Sequence, residues 1–497
     1  MFTKVIFLVI FFAVMIGVGI YSRKHATNVN DFVLGGRSVG PWLTAFAYGT
    51  SYFSAVVFVG YAGQFGYKYG LSATWIGIGN AIIGSLLAWV ILGSRTRSMS
   101  KALSAATMPD FFGKRYDSNG LKIAASAISF IFLIPYTASV YNGLSRLFGM
   151  AFDIPYAVCV IAMAALTGIY VIMGGYMATA INDFIQGIIM LIGIVAVIMA
   201  VLNGQGGFYE AVRSLSEIES DIPLTMGQKG VFASFFGPDF PNLLGVVVLT
   251  SLGTWGLPQM VHKFYAIRDE KAIRYGTIIS TLFAMVVSGG CYYLGGFARL
   301  FDTPAIYTED GSIIYDAIIP SILSTLPDLL IGIVIVLVLS ASMSTLSSLV
   351  LTSSSTLTLD LIMGNLIKDM DEKKQLLYMR ILLVFFIVIS VIIALDPPTF
   401  IAQLMGISWG ALAGAFLAPF MYGLYWKGVT KAAVWASFAC GVLLTVSNMF
   451  LKFIASPINA GAIVMLAGLV IVPVVSLLTP KMEKGKVDKI FTCLEEK

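Results

Sequence analysis

Apolar residues run along this chain in blocks of about twenty, divided by short polar stretches, and a helix crossing a bilayer needs about that many. Thirteen blocks qualify: 4–22, 42–62, 73–93, 121–146, 154–173, 176–201, 241–262, 276–298, 327–356, 377–395, 400–425, 432–451 and 460–479. They predict an all-α integral membrane protein of thirteen helices, with 1–497 as one transmembrane domain. The first block has only Lys4 ahead of it and no small-residue cleavage site behind it, so it reads as a retained helix. Blocks five and six are parted only by Gly174-Gly175, a tight turn.

Composition removes the soluble alternative. Of 497 residues, 58% are hydrophobic and 11% charged, against about 25% charged in soluble domains. Mean hydropathy is +0.89. The net charge of +5 is spread through short loops, so nucleic acid is not an expected partner; membrane lipid is. Cys159, Cys291, Cys440 and Cys493 have neither metal-ligand spacing nor a disulfide pattern, and two histidines are too few for a His-based metal site. No organic cofactor and no catalytic residue is expected; the chain does not read as an enzyme.

The charges also orient the chain. Loops after blocks 1, 3, 7, 9, 11 and 13 collect most of the 31 basic residues, among them Arg37, Arg97, Lys122, Lys263, Arg268, Lys368, Lys427 and Lys497. The N-terminus is then outside and the C-terminus cytoplasmic. The absence of any Asn-x-Ser/Thr sequon accords with a bacterial inner membrane.

Four places break the apolar rule, and each break is costly. Block two carries Gly49, Thr50, Ser51 and Ser54 at its middle, which suits either close helix packing or an interrupted helix with exposed carbonyls. Block seven carries Gly253, Gly256 and Pro258 within six residues, either a plain kink or a second interruption. The two blocks lie five apart, as in an inverted-repeat transporter with repeats at 42–201 and 241–425. Block nine is rich in hydroxyls, with Ala341, Ser344, Thr345, Ser348, Thr352 and Ser355 at helical spacing. Such hydroxyls bond back to their own helix or, as a stripe, offer oxygens to a hard monovalent cation. Asp183 in block six is the only carboxylate well inside a block, with Asp360 and Asp396 at block ends. It is a candidate cation ligand, proton site or structural cap.

These residues resemble the sodium:solute symporter family, which has the LeuT-type fold of five plus five inverted helices. Asp31–Trp42 (DFVLGGRSVGPW) is similar to the family's approach to its first core helix. Gly174–Gln186 (GGYMATAINDFIQ) is similar to its turn between core helices 4 and 5, and Ala341–Ser348 (ASMSTLSS) to core helix 8. The resemblance implies one extra N-terminal and two extra C-terminal helices. It also implies a co-transported Na+ held by Thr50, Phe53 and Ala341 through carbonyls and by Ser344 and Thr345 through hydroxyls. A second Na+, present in some members, would use Asp183, Ser347 and Ser348. The proline symporters of the family carry an Asp near the first break and aromatics in core helix 6. This chain has Tyr52, and Thr250 with Thr254, at those places.

The expectation is a sodium-coupled symporter importing a small polar organic solute by alternating access. The solute lies open between proline or another amino acid and a pantothenate-like, vitamin-like or monocarboxylate anion. A solute sensor on the same scaffold is the alternative; a channel would need a continuous polar pore. The expected solute pocket beside the breaks comprises Tyr52, Ser54, Val57, Tyr136, Tyr141, Thr254, Trp255, Gln403 and Trp409. No Arg or Lys is expected at mid-membrane, which favours a zwitterionic, neutral or singly charged solute.

Overall fold

The protein was analysed as a computed structural model, which describes residues 2–152, 154–363, 371–396 and 400–495. Lys368 and Lys497 of the charge pattern lie outside the described residues. The described chain is helical apart from loops and two isolated bridges. Eleven stretches are long and apolar enough to cross a membrane. Two of them, Val56–Ala102 and Tyr156–Gly204, hold 47 and 49 residues. At about 1.5 Å per residue each is twice as long as a bilayer requires.

The second of these contains the expected turn. Gly175 has φ 53° and ψ −143°, a conformation closed to residues with a Cβ, and parts two helices there. Glycine also sets packing distance elsewhere. A Cβ on Gly66 would overlap the Gly295 carbonyl, so the Ala62–Tyr69 and Glu270–Gly295 helices meet backbone to backbone.

Both anticipated interruptions are present. The helix Pro41–Tyr52 ends at Phe53 (φ −105°, ψ 102°), and the chain re-enters helix at Val56. The helix Phe240–Gly253 ends before Thr254, and Leu257 is extended ahead of Pro258–Ala266, where Pro258 opens the new helix without a missing donor. The hydroxyl-rich helix Asp328–Thr356 continues to Ile362. Its polar positions are not confined to one stripe: Ser353, Ser354 and Thr356 are as buried as Ser344. Many of these hydroxyls bond back to a carbonyl of their own helix, as Ser342 to Val338 and Ser354 to Leu351 do.

One end of the bundle is rich in arginine and lysine. There the Val39 N–H donates to the Ala266 carbonyl (3.3 Å) and the Arg268 N–H to the Val39 carbonyl (3.0 Å). Arg37 donates to the Tyr265 and Ala105 carbonyls (3.1 and 2.6 Å), and Arg97 to the Ile267 carbonyl (3.1 Å). Buried Arg115 holds the Gly423 and Trp426 carbonyls. The tail helix Lys484–Glu495 lies on this face through Lys427–Asp488 and Lys486–Asp117 pairs, both at 2.9 Å. The opposite end holds a cavity of about 500 Å³ bordered by Gln64, Tyr67, Lys68, Asp221, Arg299 and Tyr315.

Candidate functional site

The first interruption meets the hydroxyl-rich helix at a cluster of oxygens. Ser344 Oγ lies 3.1 Å from both the Thr50 and Ala341 carbonyl oxygens. Thr345 Oγ1 lies 3.1 Å from the Ala341 oxygen and 3.4 Å from those of Thr50 and Ser51. These residues are fully buried. Thr50 turns its own hydroxyl back to the Phe46 carbonyl (2.8 Å), leaving its carbonyl to face Ser344. Phe53 stands at the break itself. The cluster is formed wholly by neutral oxygens, a donor set suited to a hard monovalent cation.

Asp183 and Ser348 stand at a different centre. Ser348 Oγ is 2.7 Å from Ser51 Oγ and accepts a hydrogen bond from Lys263 Nζ (2.9 Å). Lys263 Nζ is 3.7 Å from Asp183 Oδ2, and both side chains are almost completely buried. Ser347 instead donates to the Ser344 carbonyl (2.9 Å). Tyr170, from the helix before Gly175, donates to the Met343 carbonyl (2.8 Å).

This corrects one expectation: a lysine does lie in the buried interior, where it partners Asp183. The block boundary at 262 placed Lys263 in a loop, but the helix restarted at Pro258 runs to Ala266 and carries Lys263 inward. Asp183 is also not alone as a buried carboxylate. Asp360, read as a block-end residue, is 1% exposed and sits 3.2 Å from Lys122. It joins a cluster with Asp110 and Thr107 at the basic end.

The expected solute residues divide. Tyr52 stacks on Phe53 and Trp409, with centroids 4.5 and 6.1 Å apart, and Tyr136 meets Trp409 edge to face at 5.9 Å. The Tyr136 hydroxyl and Trp409 indole nitrogen lie beside each other and Ser54, and neither makes a close hydrogen bond. Ser54 Oγ accepts from the Val56 N–H (3.1 Å), capping the resumed helix, and Val57 is buried one turn on. Trp255 and Thr254 are tied to main-chain carbonyls. Trp255 donates to the Ile83 carbonyl (3.0 Å), and Thr254 to the Gly84 carbonyl (3.1 Å). Tyr141 is fully buried and its hydroxyl makes no close hydrogen bond. Gln403 is in the first turn of Ile401–Tyr425, six residues and about 9 Å along the axis from Trp409.

Sequence reasoning missed Lys263 and Tyr170 as members of this cluster, and took Ser51 only as part of the interruption. An Asp buried without a partner demands a cation, and Lys263 is the lysine nearest the second interruption; that signal was available.

A model of the sodium:solute symporter family matches residues 32–441. A sodium/proline symporter of Staphylococcus aureus (strain JH9) is 31% identical over 455 residues, 89% of this chain and 85% of that protein. Among solved structures, a Na+-coupled sialic acid symporter in a substrate-bound outward-open state superposes with TM-score 0.79 at 17% identity, covering 97% of this chain and 99% of that one. A nucleobase-cation-symport-1 family transporter in a closed conformation superposes with TM-score 0.56 at 14% identity, over 92% of this chain and 97% of that one. Both structural likenesses speak for the fold.

Proposed function

This chain belongs to the sodium:solute symporter family, and from that premise we propose how it holds its cargo. It is a multi-pass membrane transporter, not an enzyme, that moves a small organic solute together with Na+. The co-transported Na+ is bound by the Thr50, Phe53 and Ala341 carbonyls and the Ser344 and Thr345 hydroxyls. The observation carrying this is the approach of Ser344 and Thr345 to the Thr50 carbonyl across the helix break, at 3.1 and 3.4 Å. Na+ ties the first interrupted helix to the hydroxyl-rich one, and the solute binds where that helix is held. Coupling arises because both cargoes favour the same conformer.

The solute is a small zwitterion of proline's size. In support, the grouping of Tyr52, Tyr136 and Trp409 offers flat apolar walls and a few polar atoms, and Ser54 and Val57 complete it. Lys263 is bound up with Asp183 and Ser348, leaving no basic group among these five for a second carboxylate. The name of the curated relatives points the same way. The two doubled stretches raise eleven to thirteen spans, read as repeats at 42–201 and 241–425 with one helix before and two after. The chain sits in a bacterial plasma membrane with its basic face, and so its C-terminus, in the cytoplasm.

Uptake of labelled L-proline into proteoliposomes tests the reading. Uptake is expected only with an inward Na+ gradient, with Trp409→Ala abolishing most of it and Ser344→Ala raising the Na+ needed for half-maximal rate about tenfold. Uptake of pantothenate or a monocarboxylate in place of proline would overturn the zwitterion assignment. Unchanged Na+ dependence in both Ser344→Ala and Thr345→Ala would remove the ion site.

A further inference from the structure

The second group of oxygens contains a cation of its own. Lys263 Nζ reaches Ser348 Oγ at 2.9 Å and Asp183 Oδ2 at 3.7 Å. Ser348 in turn contacts Ser51 at 2.7 Å. Four elements meet at this ammonium: the two interrupted helices, the helix after Gly175 and the hydroxyl-rich helix. The Tyr176 ring lies beneath it, 5.3 Å from Nζ. Neither Asp183 oxygen has another close hydrogen bond, so Lys263 supplies the counter-charge to a carboxylate that could not stay ionised in this interior alone.

We propose that the Lys263 ammonium is a tethered cation that fills the Asp183–Ser348 position, so that this transporter binds one Na+ and cannot bind a second. The proposal rests on the sodium-site reading above. An ammonium and Na+ are both compact, monovalent and hungry for oxygen ligands, and a carboxylate with two hydroxyls serves either. Both cannot occupy the position, because their like charges would lie within a few ångströms in a medium that screens poorly. The two positions also communicate. Ser51 offers its carbonyl to Thr345 at the first position and its hydroxyl to Ser348 at the second. A cation fixed at the second position therefore helps to orient the first without being carried across. Lys263 is a positioning residue for Na+, not a ligand to it.

The test counts ²²Na+ bound per molecule of purified full-length protein at saturating Na+ without solute. The wild type is expected to bind one ion. Lys263→Ala, which removes the ammonium and leaves Asp183 and the serines in place, is expected to bind two, with the Hill coefficient for Na+ rising from about 1 towards 2. Lys263→Arg is expected to stay at one. Two ions on the wild type, or one on folded Lys263→Ala with Asp183 intact, overturns the proposal. If Lys263→Ala does not fold, Lys263→Ser takes its place under the same two criteria, and the wild-type count decides by itself against the proposal if it is two. A wild type that binds no Na+ faults the sodium reading itself, a result separate from either of these.

Discussion

The two ends of the bundle are closed by different kinds of bond. At the basic face, main-chain carbonyls of Ala266, Tyr265, Ala105 and Val39 take hydrogen bonds from main-chain N–H groups and from Arg37. At the other face the contacts run mostly between side chains around a cavity. Arg299 bonds Asp221 at 2.6 Å and the Tyr67 carbonyl at 2.7 Å, and Tyr67 touches the Tyr307 hydroxyl at 3.2 Å. The main-chain pairs of Val39 with Ala266 and Arg268 part only when the backbone itself moves. Side chains part by changing rotamer. The structure is thus latched at one face and merely bridged at the other, as an alternating-access carrier shut at its basic face should be.

The largest test strikes the packing that the bridged face depends on. Gly66→Val drives a side chain into the Gly295 backbone. A helix pair must separate, at a cost of about 3 kcal/mol or more, and most of the protein should be lost from the monodisperse peak in size-exclusion chromatography. A normally folded Gly66→Val protein would show that the face is looser than drawn.

The latch comes next. Arg37→Ala removes charge-assisted bonds to two carbonyls, each worth about 1.5–3 kcal/mol. The conformers should shift about 100-fold towards opening at the basic face. A cysteine placed at Val39 would then react with a membrane-impermeant maleimide from that side, while the same probe in the Arg299→Ala background should change little.

A third test uses pH. Burial pushes the Asp316 carboxyl up to about 6, although the Ile401 N–H it accepts works against this. Its folded pKa exceeds the unfolded value, so the folded state binds the proton more tightly. Stability is greatest below about pH 4 on this account, falls as pH rises towards 6, and is then lower by up to about 3 kcal/mol. Asp316→Asn should flatten that slope in thermal melts between pH 4 and 7. A slope unchanged by the substitution would assign the titration elsewhere.

The smallest effect is expected at the tail. Lys486 and Asp117 pair at 2.9 Å but are both more than half exposed. The hydrogen bond from Lys486 holds the Asp117 carboxyl below its usual range, so what the pair contributes is present above about pH 4 and lost as Asp117 protonates below it. Lys486→Ala should leave the melting temperature unchanged in 0.5 M salt. A clear drop there would make the tail helix part of the latch.

Much of this was legible in residue pattern alone. Gly, Ser and Pro at mid-span marked both interruptions because helices tolerate them poorly, and Gly174-Gly175 marked the reversal. Ser344 and Thr345 were singled out by the likeness of Ala341–Ser348 to the family's core helix 8, since hydroxyls lie on more than one face of this helix. Two buried charges, Lys263 and Asp360, were passed over. Lys263 follows His262 at the end of its block, and hydropathy counting stops where polar residues begin, although the helix goes on to Ala266. Asp360 was missed for the same reason. Aromatic residues such as Trp255 and Trp409 look alike in sequence, and only packing shows that one ties down a neighbouring helix while the other stacks on Tyr52.

The helix Pro258–Ala266 is only nine residues long. Lys263 and the carbonyls of Tyr265 and Ala266 lie within one turn of each other on it, about 4.5 Å apart along the axis. So short a rod has no slack in which to lose a displacement. Any tilt that lifts the ammonium from Ser348 also swings those carbonyls away from Arg37 and Val39. The Lys263–Ser348 contact and the main-chain bonds of the basic face are two arms of one lever.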